Sequence, residues 1–311
     1  MNLTPNINTK LYGYNNLFLN FKKLYDNNIL PNKVIFSGSN GIGKSTFAYH
    51  FTNYILSLDE ENKYNFNDNI ISENNYSYNL ISKSRHPNFF LITNDDEKPN
   101  IQISKIREMI NFTNKSSFNN KCKIILIDNV EQLNINSTNS LLKIIEEPNN
   151  GIYFFLIHNS KNKILDTLSS RCIKYNFLLN NNTKEDIVKK LLNNNFFNNL
   201  NDDFKNIYNS PGNIISLYNF FTDNGINENI SISNFLKLII DEKLYKRNLY
   251  IKNNLSYFIE LYFNKNINFS NSKDQIYFLY KYFLLKIFDC NKFNLDIENV
   301  LIEFNGKILN G

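Results

Sequence analysis

Residues 33–51 read KVIFSGSNGIGKSTFAYHF, and this stretch decides the fold of the chain. The β-branched run at its start predicts a strand, and the spacing of apolar residues at its end predicts a helix. Between the two lies GSNGIGKS, which fits the pattern GxxxxGK[ST]. Its glycines, Gly38, Gly41 and Gly43, permit positive φ angles and close backbone approach, so that consecutive N–H groups can surround a phosphate. The order strand, glycine-rich loop, helix therefore predicts a phosphate-binding loop.

The loop also carries the side chains that a nucleotide phosphate requires. Lys44 would reach the β- and γ-phosphates, and the Ser45 hydroxyl would be a ligand of Mg²⁺. The helix that opens at Ser45 or Thr46 would direct its positive N-terminal end at the same anion. We therefore expect ATP and Mg²⁺ as cofactors, with Thr46 beside them in the first helical turn. The alternative is a chance match, which the flanking strand and helix disfavour.

Three further apolar runs predict strands, and helical segments separate them. They are FFLI after Pro87, KIILID at residues 123–128 and IYFFLI at residues 152–157. Continuous apolar runs are typical of strands that are buried on both faces of a parallel sheet. An amphipathic helix follows Pro99, with Ser104 as its expected N-cap. Strands that alternate with helices predict an α/β fold with a doubly wound parallel sheet.

After Phe177 the pattern is helical, with a break at residues 210–212 (SPG) and another at residues 223–234. The remainder reads as a helical bundle. Residues 57–83 are rich in Asn and Ser, show little periodicity and are expected to form a surface insertion. We expect three domains: an α/β domain at residues 1–177, a small helical domain at 178–222 and a C-terminal helical domain at 223–311.

A carboxylate at the end of a neighbouring strand completes the expected site. Asp128 ends the run KIILID, where it would hold Mg²⁺ together with Ser45. Hydrolysing sites of this type usually add an adjacent glutamate to polarise water, but here the neighbour is Asn129, which cannot accept a proton. Glu131 is two residues further and would point elsewhere. A role as a helix cap is the alternative for Asp128, and binding is better supported than turnover.

The composition excludes several other classes of protein. The chain has 311 residues, of which 42% are hydrophobic, and its 27 Phe and 19 Tyr argue against disorder although roughly a fifth of the residues are Asn. No secretory signal is visible, and no apolar run approaches the ~18 residues of a membrane span. The three cysteines lie far apart, which disfavours disulfides and cysteine-rich zinc sites. The net charge of +5 permits contact with nucleic acid without arguing for it.

Seven segments occur in the order known from one family. They are GSNGIGKSTFAYHF, RHPNFFLI, ISKIREMI, IILIDNVEQLN, STNSLLKIIEEP, FFLIHNS and ILDTLSSRC. Together they resemble the δ′ subunits of bacterial DNA polymerase III clamp loaders, which are AAA+ proteins. The likeness covers residues 5–220 through these motifs, and the C-terminal helices through position and length. The combination of LLKIIEEP with a following SSRC is typical of clamp-loader subunits among P-loop proteins.

The resemblance implies a part in DNA replication, as one subunit of a cytoplasmic hetero-pentamer. Its partners would be the motor (γ/τ) and δ subunits, the β sliding clamp and primed DNA, with direct contact to the DNA left open. The three expected domains would be an AAA+ nucleotide-binding domain, its helical lid and an oligomerisation collar.

The resemblance also assigns a role to one arginine. In this family the arginine of the SRC motif, here Arg171, projects toward the ATP of a neighbouring subunit, where its fixed charge stabilises the transition state. The structural alternative for Arg171 is a helix cap or a pair with a surface carboxylate. Cys172 beside it is expected to pack rather than to react.

Several positions depart from the motor subunits of the loader. The motor subunits carry a glutamate where this chain has Asn129, and an arginine that contacts the γ-phosphate where it has Asn213. No cysteines remain for the zinc module that several members hold. The sensor position after the fourth strand falls at His158 or Asn159. These differences favour a δ′ subunit with little or no ATPase activity of its own over the alternative, an active γ/τ-like motor ATPase.

Overall fold

The computed structural model describes residues 4–94, 100–147, 151–205, 210–267 and 273–309, and of residues 193–195 it describes the backbone only. Pro99 and Pro148, which belong to the sequence patterns above, lie outside these residues. The described strands are β1 (Lys33–Gly38), β2 (Phe89–Ile92), β3 (Lys123–Ile127), β4 (Ile152–Asn159) and β5 (Ile173–Asn176). The described α-helices are α1 (Asn15–Asp26), α2 (Lys44–Leu56), α3 (Tyr76–Ile81), α4 (Ile103–Asn114), α5 (Ile135–Glu146), α6 (Asp166–Ser169), α7 (Asn181–Asn199), α8 (Pro211–Asp223), α9 (Ile232–Asp241), α10 (Leu244–Arg247), α11 (Leu249–Ile267), α12 (Lys273–Phe293) and α13 (Glu298–Phe304).

The five strands form one sheet in the order β2-β3-β4-β1-β5, and all their pairings are parallel. Alternate residues of β1 belong to different hydrophobic clusters, Val34 and Phe36 to one and Ile35 to the other. The strand is therefore buried on both faces, as parallel sheets require. The predicted class, a doubly wound parallel sheet followed by helices, is confirmed.

Helices cover the sheet on both sides. On one face α1 and α2 supply phenylalanine rings that meet edge to face, such as Phe18 and Phe47, whose centroids are 5.7 Å apart. Such pairs stabilise a core by about 0.5–1.5 kcal/mol beyond the burial of their area. The other face is covered by α4 and α5, whose buried apolar residues are Ile106, Met109, Leu141 and Ile145.

Residues 57–83 do not form a surface insertion, and that prediction is wrong. Tyr64, Ile71 and Ile81 are buried in the same cluster as α1 and α2. Buried polar residues of the segment also take part in its local structure: Asn75, which is fully buried, caps α3 by accepting from the Tyr78 amide. The composition concealed this packing because asparagine side chains can hydrogen-bond one another out of water.

Two helix starts and one strand differ from the sequence predictions. Helix α4 begins at Ile103 after Gln102, so Ser104 is not its N-cap; Gln102 already has the extended backbone of a cap position. Helix α2 begins at Lys44, before the predicted start at Ser45 or Thr46, because Gly43 takes the N-cap position with φ 98°. Strand β5 was not predicted from the sequence, because its four residues do not form a continuous apolar run and are mostly exposed.

Contacts divide the chain into two compact units. The first is Met1–Ile187 with Ser210–Gly212, and it holds the whole sheet. The second is Val188–Asn209 with Asn213–Gly311; its helices enclose a separate core in which Phe204, Phe221, Phe235 and Phe258 are fully buried. The division into three domains at residues 177 and 222 stays a prediction. Among the described helices, none is both long and apolar enough to cross a membrane.

Candidate functional site

The predicted phosphate loop joins the carboxyl end of β1 to the N-terminus of α2. Gly41 and Gly43 have φ angles of 72° and 98°, a region that residues with a Cβ rarely adopt. Gly38 has a different reason to be glycine, because a Cβ there would lie 2.8 Å from the Phe177 carbonyl oxygen. The three glycines thus let the loop turn tightly onto the helix that opens at Lys44, where free N–H groups and the helix dipole favour an anion.

Two residues outside the motif hold the loop from either side. The buried Tyr14 donates its hydroxyl hydrogen to the Ile42 carbonyl oxygen at 2.8 Å. The Gly212 amide donates to the Gly41 carbonyl oxygen, also at 2.8 Å. Neither contact with the loop was predicted from the sequence. Gly212 carried a signal, the break SPG, whereas nothing in the pattern around Tyr14 pointed to the loop.

Lys44 is buried against its own loop. Its ammonium donates to the carbonyl oxygens of Gly38 at 2.9 Å and Ser39 at 2.7 Å. Burial lowers the pKa of this lysine to about 8, although the nearby carboxylates of Asp128 and Glu131 favour its charged form. The charge that would contact a phosphate is therefore held at the loop by acceptors that a phosphate can replace.

Ser45 and Asp128 lie together, as the sequence predicted. Asp128 follows β3 directly, and the Ser45 hydroxyl is 3.4 Å from each of its carboxylate oxygens. Burial raises the pKa of Asp128, and hydrogen bonds from Asn129 and Ser45 oppose that shift. A hydroxyl and a carboxylate are the oxygen ligands that Mg²⁺ takes from proteins when phosphates and water fill its other positions. The residues therefore fit the ion. Thr46, the third predicted contact, is half-buried in the first turn of α2.

The polar residues that follow Asp128 are Asn129 and Glu131. Asn129 adopts the left-handed conformation with φ 55°, which asparagine tolerates better than glutamate. Glu131 accepts from the Asn159 amide at 3.1 Å, and Asn159 is the register partner of Gly38 in the sheet. Its carboxylate therefore lies near the loop, where it favours the charged form of Lys44, rather than pointing elsewhere as expected. Among the described residues, no cluster of three or more His, Cys, Asp or Glu side chains could hold a metal ion.

Both candidate sensor residues are engaged within the fold. His158 is buried at the level of Ser37, whose hydroxyl lies 3.0 Å from His158 Nδ1, while His158 Nε2 donates to the Asn162 carbonyl oxygen at 2.9 Å. Asn159 is half-buried and accepts from the Lys161 amide at 3.2 Å. His158 thus joins the strand before the phosphate loop to the turn after β4, and the choice between the two sensor positions stays a prediction.

Arg171 contacts none of these residues. It follows α6, and its guanidinium bonds Glu146 at 2.7 Å from Nε and the Thr167 carbonyl oxygen at 2.9 Å from Nη1. Its side chain remains 39% exposed, which leaves part of it open to a second molecule. Both contacts named as the structural alternative are therefore present, and the finger role stays a prediction. Cys172 is half-buried, and burial raises the pKa of its thiol to about 11.

Residues 13–181 match the family model described as DNA polymerase III, delta subunit. The chain belongs to this family. This match includes the phosphate loop, β3 with the Asp128 that follows it and the SSRC segment, and it confirms the resemblance drawn from the motifs. Asn213 and the C-terminal helices lie beyond the matched residues.

Individual relatives agree with the family. The DNA polymerase III subunit δ′ of Buchnera aphidicola subsp. Baizongia pistaciae is 32% identical over 163 residues, 51% of this chain and 46% of the relative. The subunit γ/τ of Mycoplasma genitalium is 31% identical over 151 residues, 48% of this chain and 23% of the relative. The chain spans about half the length, or less, of the curated δ′ relatives that it matches. A solved structure, the γ subunit-related protein of Thermotoga maritima, aligns with 92% of this chain and 96% of its own at 14% identity and a TM-score of 0.49.

Proposed function

We propose that this chain is a δ′ subunit of a bacterial DNA polymerase III clamp loader, and that it helps to place the sliding clamp on primed DNA in the cytoplasm. The observation that carries the proposal is the family match, because it spans both the phosphate loop and the half-exposed Arg171 of the SSRC segment. The relatives named δ′ support the same assignment.

The phosphate loop would bind ATP with Mg²⁺. The backbone amides from Gly38 to Thr46 would surround the phosphates, Lys44 would exchange its carbonyl partners for phosphate oxygens, and Ser45 with Asp128 would hold the ion. Turnover would be slow or absent. Asn129 offers no proton acceptor beside Asp128, its left-handed backbone disfavours a glutamate there, and Glu131 is already bonded to the Asn159 amide.

Arg171 would act in trans as the catalytic group of this subunit. A guanidinium is always charged and can stabilise the charge that develops on the transferred phosphoryl group of ATP held by a neighbour. This role needs a side chain at the surface, and the Arg171 side chain meets that condition.

The partners would be the motor (γ/τ) and δ subunits, the β clamp and primed DNA, in a hetero-pentamer. Helix α12 supports an assembly role, because it leaves Phe278, Leu285 and Phe288 at least half exposed. Large apolar side chains at a surface are typical of subunit interfaces. Purification of the native complex, followed by identification of the bound chains, tests this part: recovery of the chain without γ/τ or δ would contradict it.

Two measurements test the nucleotide site and the finger. Binding of ATP with Mg²⁺ to the purified chain is expected to disappear in Lys44→Ala and to persist in the control Lys63→Ala, whose side chain is exposed. In the reconstituted complex, Arg171→Ala is expected to lower ATP turnover at the one affected site by on the order of 10³-fold. Arg247→Ala, an exposed arginine outside the motifs, is the matched control. Equal turnover in the two arginine variants would contradict the finger.

The second candidate function is that of an active motor ATPase, which the likeness to the γ/τ subunit favours. One measurement distinguishes this function from the first. Steady ATP hydrolysis by the purified chain alone, abolished by Lys44→Ala, would establish the motor function and overturn the δ′ proposal.

A further inference from the structure

Arg171 is held by two groups that come from different helices. Its Nε bonds Glu146, the last residue of α5, and its Nη1 bonds the Thr167 carbonyl oxygen of α6. The Arg171 amide also donates to the Leu168 carbonyl oxygen, which closes the end of α6. The backbone and the base of the guanidinium are thus both fixed, while the side chain stays partly exposed.

The position of Glu146 calls for an explanation beyond helix stability. The C-terminal end of a helix carries a partial negative charge, so an acidic residue in the last turn is unfavourable there and lysine or arginine is preferred. Glu146 nevertheless ends α5, and Glu147 follows it. Lys143 is the basic residue of this last turn, and the contact with Arg171 adds a second positive charge directly at Glu146.

The two contacts leave the outer part of the guanidinium available. Arginine has five N–H donors, and the bonds to Glu146 and Thr167 use one on Nε and one on Nη1. Within the described part of the chain, these two groups are the polar partners of the guanidinium, so both donors of Nη2 remain for another ligand. A lysine has a single ammonium without this fork and could not be held at its base while it bonds at its tip.

We propose that Glu146 is a positioning residue for Arg171: together with the Thr167 carbonyl it holds the guanidinium with Nη2 outward, ready for a phosphate on the nucleotide of a neighbouring subunit. This inference rests on the finger role assigned to Arg171 above. Because a free arginine loses much rotamer freedom when it is immobilised, a side chain held beforehand loses less at the moment of reaction. Glu146 therefore acts through Arg171 and does not touch the phosphate.

The expected effect is moderate and falls on turnover. The Glu146 side chain is 49% exposed, and ion pairs exposed to this degree are weakened by water. We expect Glu146→Ala to lower kcat at the affected site about two- to five-fold, with KM for ATP unchanged, because ATP is bound by the neighbouring subunit. Glu146→Gln keeps an acceptor for the Nε hydrogen and is expected to retain most of the activity.

The experiment uses the complete reconstituted loader with each variant of this chain. Turnover is measured as a function of ATP concentration for the wild type, Glu146→Ala, Glu146→Gln and Arg171→Ala, and for the neighbouring control Glu147→Ala. The double variant Glu146→Ala/Arg171→Ala is expected to match Arg171→Ala alone, because a positioning residue has no effect once the group it positions is gone. Thermal unfolding of each variant verifies that the chain is folded before assembly.

Three other results of these turnover measurements are possible, and each would contradict one statement made above. Faster turnover in Glu146→Ala would mean that Glu146 holds the finger back, and would overturn positioning. Unchanged turnover in Glu146→Ala, with a large loss in Arg171→Ala, would leave the finger standing and reject the inference. Unchanged turnover in Arg171→Ala would instead reject the proposed finger itself, so the two failures are distinguishable.

Discussion

At the scale of single residues, the phosphate loop depends on how closely Gly212 approaches it. A Cβ at this position would lie 2.7 Å from the Gly41 Cα and 2.8 Å from the Gly41 carbonyl oxygen. Both are backbone atoms, so the conflict cannot be relieved by a change of rotamer. The close approach of Gly212 to Gly41 explains why a glycine stands in SPG although glycine is rare in the chain, with 9 among 311 residues.

Gly212→Ala is therefore expected to move the loop, lower the affinity for ATP and reduce the free energy of unfolding by about 1–3 kcal/mol. The matched control is Gly306→Ala, because a Cβ at Gly306 would have no heavy atom within 4 Å. Urea unfolding and ATP titration of both variants provide the measurement. The same unfolding midpoint and affinity in the two variants would show that the close approach has no cost.

A second prediction at this scale concerns how the free energy of unfolding depends on pH. His50 is fully buried; its Nε2 donates to the Asn8 carbonyl oxygen and its Nδ1 accepts from the Tyr64 hydroxyl. Burial lowers the pKa of His50 to about 4, below its usual value of about 6.5. The unfolded chain therefore binds the proton more readily, so the stability due to neutral His50 is complete above pH 6.5 and is lost as the pH falls toward 4.

When the pH falls from 7 to 4, protonation of this histidine in the unfolded chain is expected to reduce the free energy of unfolding by about 3 kcal/mol. In His50→Gln, which cannot titrate, the same change of pH should lower the stability by that much less. Urea unfolding at several pH values measures the difference. Parallel pH profiles for the wild type and the variant would contradict the assignment.

At the scale of elements, asparagine explains much of what the sequence concealed. Eight described residues other than glycine have positive φ, and six of them are asparagines: Asn28, Asn69, Asn119, Asn120, Asn129 and Asn294. Asparagine tolerates the left-handed region because its side chain can hydrogen-bond the local backbone. In a chain with few glycines, asparagine thus takes turn positions that glycine would usually occupy.

Asn75 shows the same residue type as a helix cap. Its Oδ1 accepts from the Tyr78 amide at 2.6 Å and from Asn53 Nδ2 at 2.8 Å, and its Nδ2 donates to the Asn62 carbonyl oxygen at 2.7 Å. Asn75→Ala is expected to reduce the free energy of unfolding by about 2–3 kcal/mol, because the cap is lost and buried polar groups lose their partner.

The neighbouring Asn74 is exposed and provides the matched control. Asn74→Ala is expected to change stability by less than about 0.5 kcal/mol. Denaturant unfolding of both variants, with hydrogen exchange of the α3 amides, makes the comparison. If the two variants were equally stable, residues 57–83 would not contribute to the core as the packing indicates.

The elements that the sequence predicted well are those with a local physical cause. Strands β1 and β3 contain continuous apolar runs, and the phosphate loop has its glycines at fixed spacing. Tyr14 was missed because its partner Ile42 lies 28 residues away, and no local pattern encodes that contact. Glu146 carried a usable signal, an acidic residue at the C-terminal end of a helix, but its partner became visible only in the structure.

At the scale of the whole molecule, each compact unit has its own aromatic core. In the second unit the ring of Phe235 packs against Phe204, Phe221 and Phe258 at centroid distances between 5.1 and 5.5 Å. Such mutual packing makes this residue the centre of the helical unit. Its loss would leave a cavity that the surrounding rings can fill only in part.

Phe235→Ala is expected to reduce the free energy of unfolding by about 3–5 kcal/mol. Phe278→Ala is the control, because the Phe278 side chain is 69% exposed in the isolated chain. It is expected to have little effect on stability in a denaturant titration of the isolated chain. A loss as large in Phe278→Ala as in Phe235→Ala would place the core of this unit elsewhere.

The carbonyl-bound ammonium of Lys44 has a further consequence, for the protons exchanged with the solvent. Its pKa of about 8 should rise when anionic phosphate oxygens become its partners, because they favour the charged form. Binding of ATP should then take up a fraction of a proton near pH 8, and the affinity should weaken as the pH rises through this value. Titration calorimetry in buffers of different ionisation enthalpy would measure this uptake, and a binding heat independent of the buffer would contradict it. The affinity of the site for ATP would then depend on pH through a lysine rather than through a histidine.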